Sequence, residues 1–343
     1  MSRMAELLAR MDFSKPGMEK AGQLYAQQDL AGAMDAVIEH FRTRTSPRYL
    51  FDRKEMELCR DDGILQDAQD TLDHNIYGYR FPGEIDWFFN PTEHTSHDNE
   101  WTWSLYRHIY WQPLARAYVR TGDETYTREF LHQMQTWGEA WPVKPFMEDD
   151  EDYAAKYKFP GHSWRTIETA MRLYTVWLPC MEAFRTSPAW DREGWVTFLS
   201  LLCDHCDFLM KHYSNHNKSS NWLTMESGAL LQCGILFPEI RSDWFRTGYR
   251  RVMQEVKYSF DNDGIHMERT PIYHMVAAGV YLQCYRLCLL NGIPVPPYME
   301  PTLEKAARFL MSLVKPDLST PMIGDADRDD LTTGGATPPC TRG

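Results

Sequence analysis

Nowhere does this sequence sustain the run of roughly 18 uncharged apolar residues that a membrane helix needs, so the 343 residues contain no candidate spanning segment. Its first stretch, MSRMAELLARMDFSKPGMEKAGQ, is amphipathic and broken by charge, and it lacks the apolar core of a signal peptide. As written, the chain is therefore expected in the cytoplasm, although the mature form of a periplasmic or secreted protein would read the same way. A basic excess is also missing. The net charge is −12, whereas nucleic-acid binders rest their affinity on clustered Lys and Arg, so neither a nucleic acid nor a membrane is an expected partner. An acidic ligand stays open, because a cleft can hold a few arginines beneath an acidic exterior.

A second Cys-x-x-Cys is lacking too. Cys203, His205, Cys206 and His212 in CDHCDFLMKH come nearest to a metal motif. On a helix Cys203 and Cys206 share a face while His205 points elsewhere, and nothing completes a tetrahedral set. The eight cysteines (Cys59, Cys180, Cys203, Cys206, Cys233, Cys284, Cys288 and Cys340) read as buried thiols rather than a disulfide framework. No metal site is expected in the chain.

What the sequence has is helical periodicity. DLAGAMDAVIEHFRTR carries Leu30, Met34, Val37, Ile38 and Phe41 along one stripe. EWTWSLYRHIYWQPLARAYVRTGDETYTREFLHQMQTWGEAW reads as two helices, the first stopped by Gly122 and the second capped by Asp123. Further pairs are expected at about 163–186 with 191–214, 219–234 with 242–259, and 270–290 with 300–315. Pro- and Gly-rich breaks separate them. Successive helical hairpins must pack on one another to bury their apolar faces, and with no fixed repeat period an α/α toroid is expected over a regular solenoid. After residue 315 the apolar period ends, and residues 316–343 read as a loop and disordered tail. The expected division is thus a helical domain over 1–315 and a tail over 316–343.

Aromatic residues make up 13% of the chain, with 12 Trp and 18 Tyr. They suit the apolar faces of sugars, and they equally suit a large helical core. In NHNKSSNWLTMESGALL, Asn215, His216, Asn217 and Asn221 crowd a polar loop entering a helix, where Ser and Asn serve as N-caps. In DNDGIHMERTPIYH, Pro271 suits a first helical turn, which places Tyr273 and His274 in the positive potential of a helix start. That setting favours a phenolate, and a Tyr merely packing its ring fits as well. His108 lies on an aromatic helix, and Arg165, Glu168 and Arg172 recur at helical spacing, as ion pairs or as cleft residues.

Taken together, EWTWSLYRHIYWQPLARAYVRTGDETY, SWRTIETAMRLYTVW, SSNWLTMESGALLQCGILFPE, DGIHMERTPIYH and PMIGDAD resemble, in order, the helical domain of the heparinase II/III-like polysaccharide lyases of heparinase III type. The resemblance spans about residues 30–327. It implies an all-α fold, an incomplete α/α toroid whose family partner, a C-terminal β-sandwich, is expected to be missing from this chain. It implies β-elimination on a uronic-acid-containing glycan such as a glycosaminoglycan, with no cofactor in this chain, since a structural metal would belong to the sandwich. Asn221 resembles the asparagine that neutralises the substrate carboxylate, and Tyr273 the tyrosine acting as general acid and base. His108, Arg165, His216, Glu268, Arg269 and His274 are the expected substrate contacts. Relatives that read Asn-His differ here, since Trp222 follows Asn221, and His216 is the candidate replacement. Two other readings remain. One is a catalytically impaired glycan-binding toroid. The other is an α/α-barrel glycoside hydrolase using Asp261, Asp263, Glu268 or Glu168. The oligomeric state stays unknown.

Overall fold

Two spans of helical hairpins account for nearly all regular structure in the computed structural model, which describes residues 2–51, 63–96, 98–148, 162–214 and 220–324. The chain divides into two compact units. Unit 1 comprises Met1–Thr45, Arg60–Phe208 and Phe237–Ser242, and unit 2 comprises Ser46–Cys59, Leu209–Leu236 and Asp243–Gly343.

Unit 1 holds α1 (Arg3–Ala9), α2 (Glu19–Ala26), α3 (Leu30–Thr43), α4 (Ile64–Leu72), a hairpin of β1 (Asn75–Ile76) and β2 (Tyr79–Arg80), α5 (Glu100–Arg107), α6 (Gln112–Thr121), α7 (Glu124–Ala140), α8 (Lys144–Glu148), α9 (Thr166–Met171), α10 (Leu178–Phe184) and most of α11 (Arg192–Lys211). The strands pair antiparallel, Asn75 with Arg80 and Ile76 with Tyr79, and form the one sheet among the described residues. In α3 the stripe Met34, Val37, Ile38 and Phe41 is buried, and Asp29 caps the helix by accepting from the Gly32 N–H at 2.9 Å, a contact of about 1 kcal/mol. Gly122, at φ +72°, ends α6, and Asp123 opens α7 by accepting from the Thr125 N–H at 2.9 Å. The helix expected from residue 100 to Gly122 is broken at His108, which takes φ +58° before a 3₁₀ turn over Ile109–Trp111. Pro113 has no N–H to offer the Ile109 carbonyl, so an uninterrupted α-helix cannot run through this point. A second proline shapes α9 and α10, which are joined by a π-helical stretch over Arg172–Trp177. Pro179 cannot donate to the carbonyl of Thr175, and Gln112 Nε2 does so instead at 2.8 Å.

The aromatic excess is spent largely on cores. Trp111, Trp137, Trp164, Trp177, Trp190 and Trp195 are fully buried in unit 1, as Trp244 is in unit 2, each worth on the order of 5 kcal/mol in transfer terms as an upper bound. Arg172 lies among them with no exposure, donating to His205 Nε2 at 2.9 Å and to the Ser163 carbonyl at 2.8 Å, with Trp137 and Trp164 against its guanidinium. Burial draws its pKa down to about 9.

Unit 2 holds α12 (Asn221–Leu236), α13 (Trp244–Ser259), α14 (Pro271–Leu290) and α15 (Met299–Leu313). Helix α12 is buried on almost every side and packs against both α13 and α14. Its glycines permit this. A Cβ on Gly228 would meet Val280 Cγ1 at 2.4 Å, and one on Gly234 would meet the Phe245 backbone at 2.3 Å. A buried polar network fastens the layer, with Tyr281 Oη at 3.1 Å from Thr224 Oγ1 and 2.6 Å from Ser259 Oγ. Cys180, Cys203, Cys206, Cys233, Cys284 and Cys288 are buried thiols, while Cys59 and Cys340 lie outside the described residues. Among the described residues no helix is long and apolar enough to cross a membrane.

Candidate active site

Two helix starts and the loop before one of them bring together most of the candidate residues in unit 2. Ser220 caps α12, its Oγ accepting from the Leu223 N–H at 3.2 Å, which sets Asn221 at the first helical position. Thr270 caps α14 in the same way, accepting from the Tyr273 N–H at 3.2 Å, and Pro271 occupies the first position. Both candidates thus stand where main-chain N–H groups lack helical partners and positive potential collects. Asn221 is buried, with 4% of its surface exposed, and Tyr273 is half-buried.

Glu268, in the loop that leads into α14, bonds to Asn221 at the start of α12. Its Oε2 accepts from Asn221 Nδ2 at 2.7 Å and its Oε1 from the Asn221 main-chain N–H at 3.3 Å. The loop that carries Glu268 is anchored at several points. Asp261 Oδ1 accepts from the N–H groups of Asp263 and Ile265 at 3.0 and 2.9 Å, Phe260 bridges His266, and Gly264 approaches α15 so closely that a Cβ would lie 2.5 Å from the Lys305 carbonyl. Arg269 turns the chain at φ +55° and points outward, 3.8 Å from Asp261. Asp261 is a turn former here, as aspartates in such loops ordinarily are, which removes the reason to read it as half of a hydrolase pair.

His274 is buried and holds the loop from below. Its Nε2–H donates to the Ala306 carbonyl at 2.9 Å, and its Nδ1 accepts from the His266 N–H at 3.3 Å, which fixes the neutral tautomer. Burial lowers its pKa, against the pull of the Ala306 carbonyl. A sugar contact at His274 is therefore not what its placement provides. His266 went unnoticed in the sequence because a loop gives it no periodicity. Its Nδ1 accepts from the Glu268 N–H at 3.4 Å, and its Nε2 is buried with no hydrogen-bond partner among the described residues. Burial, reinforced by His274, pushes its pKa down to about 4.

The remaining candidates stand elsewhere. His108 belongs to unit 1, where it has no exposure and stacks on Trp111 with ring centroids 3.9 Å apart while its Nδ1 accepts from Trp177 Nε1 at 3.2 Å. It is a core histidine, held far below its ordinary pKa by burial and then by Arg172 and His205, and the expected substrate contact is corrected on that ground. Arg165, also in unit 1, lies 3.6 Å from the ring centre of Trp103 and 3.3 Å from Glu168 Oε2. Glu168 is fully buried and receives Arg107 as well, at 3.1 Å, so Arg165 serves an ion-pair cluster. His216 lies outside the described residues. A cleft of about 290 Å³ in unit 1, lined by Arg3, Glu6, Arg10, Lys144 and Asp204, contains none of the candidates.

Among proteins of known sequence, a heparin-sulfate lyase of Pedobacter heparinus is 29% identical over 327 residues, covering 90% of this chain and 47% of that protein. One from Bacteroides stercoris is 25% identical, covering 94% and 49%. Among solved structures, a heparinase III gene product superposes with a TM-score of 0.76 at 26% identity over 95% of this chain and 51% of its own. The heparan sulfate lyase HepC from Pedobacter heparinus gives 0.73 at 27% identity over 97% and 52%. The chain spans about half the length of the relatives it matches. The expected fold class, all-α hairpins of the α/α-toroid type, is borne out by this likeness. Residues 7–333 match the model of the family described as Heparinase II/III N-terminus, and the chain belongs to that family.

Proposed function

We propose that this chain carries the helical part of a polysaccharide lyase site that cleaves a uronic-acid-containing glycan, a glycosaminoglycan, by β-elimination. The observation that supports it most is the pairing of Asn221 with Glu268, which ties the start of α12 to the loop that leads into Tyr273. The names of the relatives, heparin-sulfate lyases, supply the substrate class.

The reaction removes the proton at C5 of the uronate, breaks the bond from C4 to the bridging oxygen, and returns a proton to that oxygen, leaving a C4–C5 double bond. Charge builds on the carboxylate side of C5 as the proton leaves, so donors placed beforehand at that carboxylate lower the barrier. Asn221 supplies such a donor, at a helix start whose potential favours an anion. Tyr273 takes the C5 proton as phenolate or delivers one to the leaving oxygen as phenol, a general acid–base role. The scheme uses no cofactor.

Adding uronate polymers to the protein tests this. New ultraviolet absorbance from the unsaturated uronate is expected, and Tyr273→Phe is expected to lower the rate by about 10²-fold or more. New reducing ends without that absorbance would replace the reading with a hydrolase. Saturable binding without cleavage would replace it with a glycan-binding domain.

A further inference from the structure

The two oxygens of the Glu268 carboxylate are both engaged by one residue, Asn221, through its side-chain amide at 2.7 Å and its main-chain N–H at 3.3 Å. We infer that Glu268 is a positioning residue for Asn221, held in place by His266, rather than a contact for the glycan. This rests on the lyase reading above.

An asparagine amide has a donor end and an acceptor end that differ little in shape. A uronate carboxylate is attracted to the first and repelled by the second. Asn221 is nearly buried, so its orientation is set by the protein. Because a carboxylate accepts and does not donate, Glu268 draws the Nδ2 end toward itself and uses one of its two hydrogens. The other hydrogen stays available to a substrate anion. The second bond, to the N–H at the first position of α12, occupies a main-chain donor that has no helical partner and fixes the carboxylate against the helix end.

Glu268 is itself placed from behind. His266 Nδ1 accepts its main-chain N–H at 3.4 Å, the His266 N–H goes to His274 Nδ1 at 3.3 Å, and His274 Nε2–H goes to Ala306 in α15 at 2.9 Å. The orientation of Asn221 is therefore referenced through three side chains to a neighbouring helix.

A double-mutant cycle on the full chain tests the assignment. With a uronate polymer as substrate, Glu268→Ala is expected to lower kcat/KM by about 10²-fold. In an Asn221→Ala background it is expected to change kcat/KM by less than about twofold. Glu268→Gln, which keeps an acceptor oxygen, is expected to recover most of the loss. An equal loss from Glu268→Ala in both backgrounds, or a Glu268→Gln as poor as the alanine variant, overturns the inference. If the parent protein cleaves no uronate polymer, the proposed function fails and the inference is read separately, from the carboxamide signals of protein labelled with ¹⁵N-asparagine. One shifted, slowly exchanging pair is expected to survive Glu268→Gln and to move to ordinary positions in Glu268→Ala. A pair unmoved by Glu268→Ala overturns the inference as well.

Discussion

The main-chain N–H of His266 meets Nδ1 of His274 at 3.3 Å and commits that imidazole to its neutral form, as the Glu268 N–H does for His266 through its own Nδ1 at 3.4 Å. Both are buried, and burial lowers the pKa of each, that of His266 to about 4 from the ordinary 6.5. The unfolded chain therefore binds more protons than the folded one below pH 6.5. The stability associated with these groups is complete above that pH and is lost as the pH falls toward 4. For His266 the loss reaches on the order of 3 kcal/mol. Urea unfolding at pH 7 and at pH 4.5 checks it. The drop in unfolding free energy should shrink in His266→Phe, even though that variant is less stable at pH 7 for want of an acceptor for the Glu268 N–H. Equal drops in the two proteins would contradict the assignment.

Glu168 has no exposure and takes an ion pair from each side, Arg107 at 3.1 Å and Arg165 at 3.3 Å. Burial raises its pKa, and the two guanidinium groups oppose that rise. Glu168→Gln removes the charge that both arginines share while keeping the volume. Taking away one member of such a cluster leaves the others uncompensated, at about 3 kcal/mol. Thermal melts of the variant should show that loss. A change below about 0.5 kcal/mol would mean that water already solvates both arginines.

The hairpins were legible because each depends on local signals. The buried stripe of α3, the Gly122 stop and the Asp123 cap are all read from residues within one turn of where they act. The break at His108 was missed because the periodicity of α5 and α6 runs across it, and only the missing N–H of Pro113 marks it. The site was legible to the extent that Asn221 and Tyr273 sit at capped helix starts. The contacts around them were not, since Glu268 reaches Asn221 across 47 positions and His274 reaches Ala306 across 32. His108 and Arg165 carry the right chemistry, but the sequence holds no sign that one enters an aromatic core and the other an ion-pair cluster.

Helices α12 and α13 approach at Gly248, where an added Cβ would stand 2.4 Å from the main-chain nitrogen of Leu231. Backbone cannot move aside as a side chain can, so Gly248→Ala must push the helices apart. A cost of about 1–3 kcal/mol or more is expected. Gly83→Ala is the control, because nothing lies within 4 Å of its added Cβ, and a change within about 0.5 kcal/mol is expected. Denaturant midpoints of the two variants decide it, and equal midpoints would remove the close approach from the account of the fold.

Asn221→Asp separates the donor role of the amide from its size. The substitution keeps the shape but replaces the nitrogen that lies 2.7 Å from Glu268 Oε2 with an oxygen. The new carboxylate cannot donate to Glu268 or to a substrate anion, and a second acidic group beside Glu268 repels the uronate of the proposed reaction. Repulsion then adds to the lost donor, so kcat/KM measured with a uronate polymer at pH 8 is expected to fall below that of Asn221→Ala, which loses the donor alone. A wild-type rate in Asn221→Asp would show that no donor is needed at this position and would remove Asn221 from the proposed chemistry.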